Sequence, residues 1–322
     1  MPSKLEQLAA MTVIVADTGD LEAVRRLRPV DCTTNPTLIL KSAGMASHAG
    51  LLDEALRWGR SQGGSREGAV SAVSDRLAVA VGAELAGLVP GRVSTEVDAD
   101  LSFDAPATID KGRAIVAAYE ARGVPRERVL VKIAATWEGV QAARILQREG
   151  VDCNMTLLFS MAQAAACAEA GAYLISPFVG RILDWHVKAG GGPYTGETDP
   201  GVVSLRRIHA AYKGSGVATI VMGASFRNLG QIEALAGCDR LTIAPDLLDT
   251  LASEEGPLPR RLDPSRAVAS VPAALDEAGF RWAMNEDAMA TEKLAEGVRL
   301  FAKDLAQLRT MVAGRLDGAK AA

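Results

Sequence analysis

Val129-Leu130-Val131-Lys132-Ile133 is an apolar run interrupted by a single lysine, short enough for one strand and flanked on both sides by sequence of helical character. It is one of eight such runs. The others fall at 12–16, 30–32, 92–95, 151–153, 172–175, 217–222 and 240–243, most of them rich in valine and isoleucine. Between them, segments such as 69–89, 109–122, 139–149, 162–170 and 230–236 carry a helical period. Strands alternating with helices predict right-handed βαβ units and a parallel sheet. Eight of them predict an α/β fold closed into a single (β/α)8 TIM barrel over 1–322, with additional terminal helices. An open, doubly wound sheet is the competing arrangement, but no GxGxxG follows a strand to support it.

Working outward, the segment 284–312 places Leu294, Val298, Phe301, Leu305, Leu308 and Val312 on one helical face and predicts a C-terminal helix packed on the barrel. The glycine-rich stretch 189–201 reads as a surface loop after the sixth strand. The 322 residues are 48% hydrophobic, enough for a large core, and the net charge is -4. That balance offers no basic surplus for nucleic acid. No stretch approaches the roughly 20 apolar residues of a membrane span, and the first residues lack the apolar segment of a signal peptide. The four cysteines (32, 153, 167, 238) form no CxxC pair, so reduced thiols in the cytoplasm are expected. Three histidines, at 48, 186 and 209, have no metal-ligand spacing, which argues against a zinc enzyme.

The candidate strands end in polar residues, and in a barrel those ends converge on one face. Asp17 follows the first, Thr33-Thr34-Asn35-Pro36 the second, Ser94-Thr95-Glu96 the third. Asn154-Met155-Thr156 follows the fifth, Ser176 the sixth, and Gly223-Ala224-Ser225-Phe226-Arg227 the seventh. Lys132 is the sharpest of these signals. Burial in an apolar strand removes hydration and favours the neutral amine, the form that attacks a carbonyl. The alternative is a lysine that snorkels to the mouth or pairs with Glu96. Asp17 and Glu96 suit general acid/base work, or else a helix cap and a charge partner. Asn35 suits the turn before Pro36, and Asn154 and Thr156 suit helix capping, unless they bind substrate. Ser225 and Arg227 at a strand-to-helix turn form a natural phosphate site, with Arg181 either a second clamp or a surface ion pair.

These stretches also carry a family resemblance. Asp31-Cys32-Thr33-Thr34-Asn35-Pro36-Thr37-Leu38, Val129-Leu130-Val131-Lys132-Ile133-Ala134 and Cys153-Asn154-Met155-Thr156-Leu157-Leu158-Phe159-Ser160 resemble transaldolase motifs. So do Ile175-Ser176-Pro177-Phe178-Val179-Gly180-Arg181-Ile182-Leu183-Asp184-Trp185 and Met222-Gly223-Ala224-Ser225-Phe226-Arg227-Asn228, in order along nearly the whole chain. The resemblance implies a transferase of the pentose phosphate pathway with a Schiff base on Lys132. It implies Glu96 as an acid/base acting through water and Asp17 as the acid/base for carbon–carbon cleavage. Thr33, Asn35, Asn154, Thr156 and Ser176 would hold donor hydroxyls and the intermediate, and Arg181, Ser225 and Arg227 the phosphate. It implies sugar-phosphate substrates, no metal or organic cofactor, and a homodimer. In the related fructose 6-phosphate aldolases a tyrosine stands where Phe178 stands here. A Schiff-base aldolase releasing free dihydroxyacetone, a metal-dependent aldolase and a catalytically silent barrel are the rival readings. The glycine-rich stretches 63–68 and 189–196 match the family least.

Overall fold

The computed structural model describes residues 2–318. Eight strands close into one parallel barrel in sequence order: β1 (Val13–Asp17), β2 (Asp31–Thr33), β3 (Val93–Glu96), β4 (Val129–Ala134), β5 (Cys153–Leu158), β6 (Leu174–Pro177), β7 (Ile220–Gly223) and β8 (Arg240–Ile243). β1 pairs with both β2 and β8, so no strand is left as an edge. The (β/α)8 architecture expected from the alternating runs is the one found, with further helices around it.

Strand periodicity explains how the barrel carries a site. Side chains two residues apart point the same way. Asp17, Lys132 and Ser176 therefore share an inward face with Val15, Leu130 and Leu174, one step lower on their strands. Those three residues and Met222 form a separate buried cluster, an apolar layer beneath the polar rim. The alternate residues Ile14, Ala16, Val131, Ile133 and Ile175 face outward and join the larger core under the helices. Below the apolar layer, Arg92 and Arg240 lie over the Tyr173 ring, and their charges are met by Asp152 and Asp31.

Helix boundaries follow local chemistry. Asp20 caps the helix Leu21–Leu27, Asn35 caps Pro36–Ala43 with proline in the first turn, and Ser160 opens Met161–Glu169 with a capping box to Gln163. The long helix Arg66–Leu88 starts inside the glycine-rich stretch 63–68. The C-terminal region holds two helices, Glu277–Glu286 and Ala288–Gly318, so the predicted segment 284–312 straddles a break at Asp287. The longer one lies across the barrel's C-terminal rim, packed on the helices Pro36–Ala43, Arg66–Leu88 and Val179–Lys188 and on β5. Thr37 donates to Asp304, and Arg309 pairs with Asp98 at 2.8 Å and Asp100 at 3.2 Å. Among the described residues no helix is long and apolar enough to cross a membrane.

Candidate active site

A cavity of about 70 Å³ opens at the C-terminal ends of the strands. Asp17, Thr33 and Asn35 line it from the first two strands and the turn that follows, and Lys132 from β4. Ser176, Phe178, Arg181 and Ser225 close its far wall, and Phe301 of the terminal helix covers it. Of the residues singled out from sequence, Glu96, Asn154, Thr156 and Arg227 lie outside this lining. Glu96 reaches the cavity through its contact with Lys132, Asn154 through Ser176, and Arg227 stands behind Ser225.

Lys132 Nζ lies 3.1 Å from Glu96 Oε2, with the two side chains 5% and 3% exposed. The same nitrogen donates to the Thr34 carbonyl at 3.2 Å and lies 5.9 Å from the Phe301 ring centre. Both candidate proton carriers are tuned upward. Burial raises the affinity of the Glu96 carboxyl for its proton, with the charge of Lys132 opposing. Burial does the same at Asp17, opposed by Lys132 and by the hydrogen bond from Thr33. Burial thus favours the protonated form of both carboxyls that face the amine.

Hydroxyl chains frame this centre. Thr33 donates to Asp17 at 3.0 Å and shares a 2.6 Å contact with Thr242. Ser176 donates to the Asn154 oxygen at 2.7 Å, and the Asn154 amide donates to Ser94 at 3.1 Å. Asn154 and Thr156 sit inside β5, and Ser160 caps the next helix, so neither is a cap. The Thr156 hydroxyl has no protein partner among the described residues. Asp17 is likewise no cap, because Asp20 holds that position. Asn35 is one: its oxygen accepts from Leu38 N–H at 2.9 Å, which leaves its amide hydrogens for the cavity.

The cationic end is built by strand pairing carried past β6 and β7. Val179 and Gly180 N–H groups donate to the Ala224 and Ser225 carbonyls at 2.9 and 2.8 Å. This holds Ser225 in the left-handed region (φ 63). Arg181 is no surface ion pair. Its guanidinium lies 5.1 Å from the Phe178 ring and 5.3 Å from Phe301, with no hydrogen bond or ion partner among the described residues. Burial, and then the neighbouring charge of Arg227, weaken its hold on a proton. Arg227 is held by Asp184 at 2.8 Å, and its guanidinium also lies 3.4 Å from the Ser225 hydroxyl. Arg181 at the cavity wall and Arg227 behind Ser225 repel one another, and an anion bound beside them would relieve that repulsion. The helix after β7 begins only at Leu229 with Asn228 as its cap, so the expected helix-opening N–H groups stand further from Ser225 than the sequence suggested.

Three contributors escaped the sequence reading, Asp184, Thr242 and Phe301, and Ser94 entered it only as one of the polar residues ending the third strand. Thr242 and Ser94 carried a usable signal, each being a polar residue at an inward position of its strand. Phe301 and Asp184 carried none, since their positions depend on helix packing.

Fold and site together define a class, a (β/α)8 barrel enzyme whose pocket is built around a buried lysine and two buried carboxyls. Residues 14–312 match the model of the family described as Transaldolase/Fructose-6-phosphate aldolase. A transaldolase of Agrobacterium fabrum is 65% identical over the whole of both chains. One of Allorhizobium ampelinum is 63% identical over 98% of this chain and 99% of its own, and one of Xanthomonas oryzae pv. oryzae is 57% identical over the same shares. The chain belongs to the transaldolase/fructose-6-phosphate aldolase family. Likeness of this extent to proteins named transaldolase supports transaldolase function, a transferase activity, for this chain.

Proposed function

We propose that this activity runs through a Schiff base on Lys132 and carries a dihydroxyacetone unit from sedoheptulose 7-phosphate to glyceraldehyde 3-phosphate, giving erythrose 4-phosphate and fructose 6-phosphate. The observation that carries the reading is the burial of Lys132 against Glu96 on a cavity that Asp17 also lines. As the free amine, Lys132 attacks the donor ketone at C2. Glu96, acting through a water held by the Thr156 hydroxyl, protonates the departing hydroxyl, and an iminium forms. Asp17 then takes the proton of the C4 hydroxyl. The C3–C4 bond breaks, its electron pair flows to the iminium nitrogen, and an aldehyde leaves behind an enamine. The enamine attacks the acceptor aldehyde, Asp17 returns the proton, and water releases the product.

In this reading the iminium is the electron sink, so neither a metal nor an organic cofactor is called for. Asn35, Asn154 and Ser176 hold donor hydroxyls, and Arg181, Ser225 and Arg227 hold the phosphate. Phe178 is 6% exposed and has no hydroxyl to activate water, which favours transfer to a second sugar over release of free dihydroxyacetone. By resemblance we also expect a cytoplasmic homodimer acting as one barrel unit with its C-terminal helix.

Borohydride reduction in the presence of fructose 6-phosphate, followed by peptide mapping, tests the reading. The adduct is expected on Lys132, and Lys132→Ala is expected to give no adduct and almost no turnover. An adduct on any other lysine sinks it.

A further inference from the structure

We propose that Thr242, on β8, is a positioning residue for the carbon–carbon bond step: it aims the hydroxyl of Thr33, which in turn aims the carboxyl of Asp17. The inference rests on Asp17 being the acid/base described above. β8, β1 and β2 are consecutive around the barrel, so Thr242 and Thr33 come from the two strands flanking the one that carries Asp17. Thr33 Oγ1 stands 3.0 Å from Asp17 Oδ1 and 2.6 Å from Thr242 Oγ1. Thr242 is 4% exposed, and its side chain makes no other hydrogen bond among the described residues.

A threonine hydroxyl has one proton and two lone pairs. While Asp17 is a carboxylate, the Thr33 proton points to it. The 2.6 Å contact then requires the proton of Thr242, and the chain runs Thr242 to Thr33 to Asp17. Once Asp17 has taken the proton of the substrate hydroxyl, it becomes a donor. Thr33 then accepts from it and donates to Thr242. Two hydroxyl rotations reverse the chain, so each protonation state of Asp17 meets a partner of the right polarity. The charged groups around Asp17 are Lys132, Arg181, Lys41 and Glu96. None of them hydrogen-bonds the Thr33 side chain, so the aim of that hydroxyl depends on Thr242.

Single-turnover experiments with fructose 6-phosphate separate imine formation, read by borohydride trapping, from release of glyceraldehyde 3-phosphate. Thr242→Val is expected to trap at the wild-type rate and cleave roughly 5- to 30-fold more slowly, the scale of one buried hydrogen bond lost. Thr242→Ser should restore cleavage to within about threefold, since it returns the hydroxyl. The double variant Thr33→Val/Thr242→Val should cleave no more slowly than Thr33→Val alone, because Thr242 acts only through Thr33. If the valine variant does not fold, Thr242→Ala against Thr242→Ser reads the same contrast. Wild-type cleavage in Thr242→Val, equal slowing of both steps, or additive losses in the double variant would each overturn the inference. Near-normal cleavage in Asp17→Asn removes the underlying reading, whereas slow Asp17→Asn beside normal Thr242→Val removes only this inference.

Discussion

Asp17 and Glu96 both carry a charge interaction with Lys132, and the proposed mechanism gives each a different step. Glu96 touches the amine directly, whereas Asp17 stands across the cavity, tied to Thr33. We therefore expect Asp17→Asn to form the imine and cleave slowly, and Glu96→Gln to slow imine formation itself. Each loss should be on the order of 10²–10⁴-fold. Rapid-quench trapping distinguishes the two, and near-normal rates in either variant return that residue to a structural role. Asp17 also predicts a pH effect on stability. Burial raises its folded-state proton affinity above that of the unfolded chain. Its contribution is then fully present below the unfolded pKa and is lost as pH rises through the folded one. Asp17→Asn removes that loss, so its Tm should exceed wild type at pH 8, with the gap closing towards pH 4. A variant less stable at pH 8 contradicts this assignment of burial as the dominant cause.

At the scale of elements, the junction between β6 and the helix Val179–Lys188 fixes the loop that carries Ser225 and Arg227, the proposed phosphate contacts. A Cβ on Gly180 would sit 2.1 Å from the Ser225 carbonyl oxygen and 2.8 Å from Arg227 Cγ. Backbone cannot yield as a flexible side chain does, so Gly180→Ala should displace Ser225 and Arg227 together. Arg227→Ala provides the reference. Loss of a hydrogen bond to a charged group should cost about 10- to 150-fold in kcat/KM for fructose 6-phosphate and far less for fructose. Gly180→Ala is expected to show the same dependence on phosphate, at tenfold or more. Equal losses for both sugars would mean a general defect. These elements were only partly legible beforehand. The eight strands emerged because valine and isoleucine runs survive burial on both sides. β5 was the exception. It extends through Asn154 and Thr156 to Leu158, whereas the apolar run at 151–153 marked only its start. Polar residues that serve a site weaken the very pattern that identifies their strand. Asp184 lies beyond any such pattern, since its pairing with Arg227 depends on how a helix crosses a loop.

Taken whole, the molecule closes its pocket with its own end. The helix Ala288–Gly318 brings Phe301 over both Lys132 and Arg181. Phe301→Leu keeps most of the buried volume and removes the ring. A cation–π contact of about 0.5–2 kcal/mol should then vanish, lowering Tm modestly and, with Arg181 no longer held against the ring, lowering kcat/KM for phosphorylated donors by up to roughly 30-fold. Unchanged kinetics would reduce Phe301 to a filler of space. The closed barrel has a further consequence, for synthesis on the ribosome. β1 finds its second neighbour only when β8 has been made, and the stretch from Ile243 to Phe301 takes roughly 3–12 s more at about 5–20 residues per second. Until then the nascent chain holds Asp17, Lys132 and Arg181 but no finished pocket to set them against one another. The groups that line the cavity are therefore made long before they can meet, and they come together only once the helix Ala288–Gly318 has left the exit tunnel.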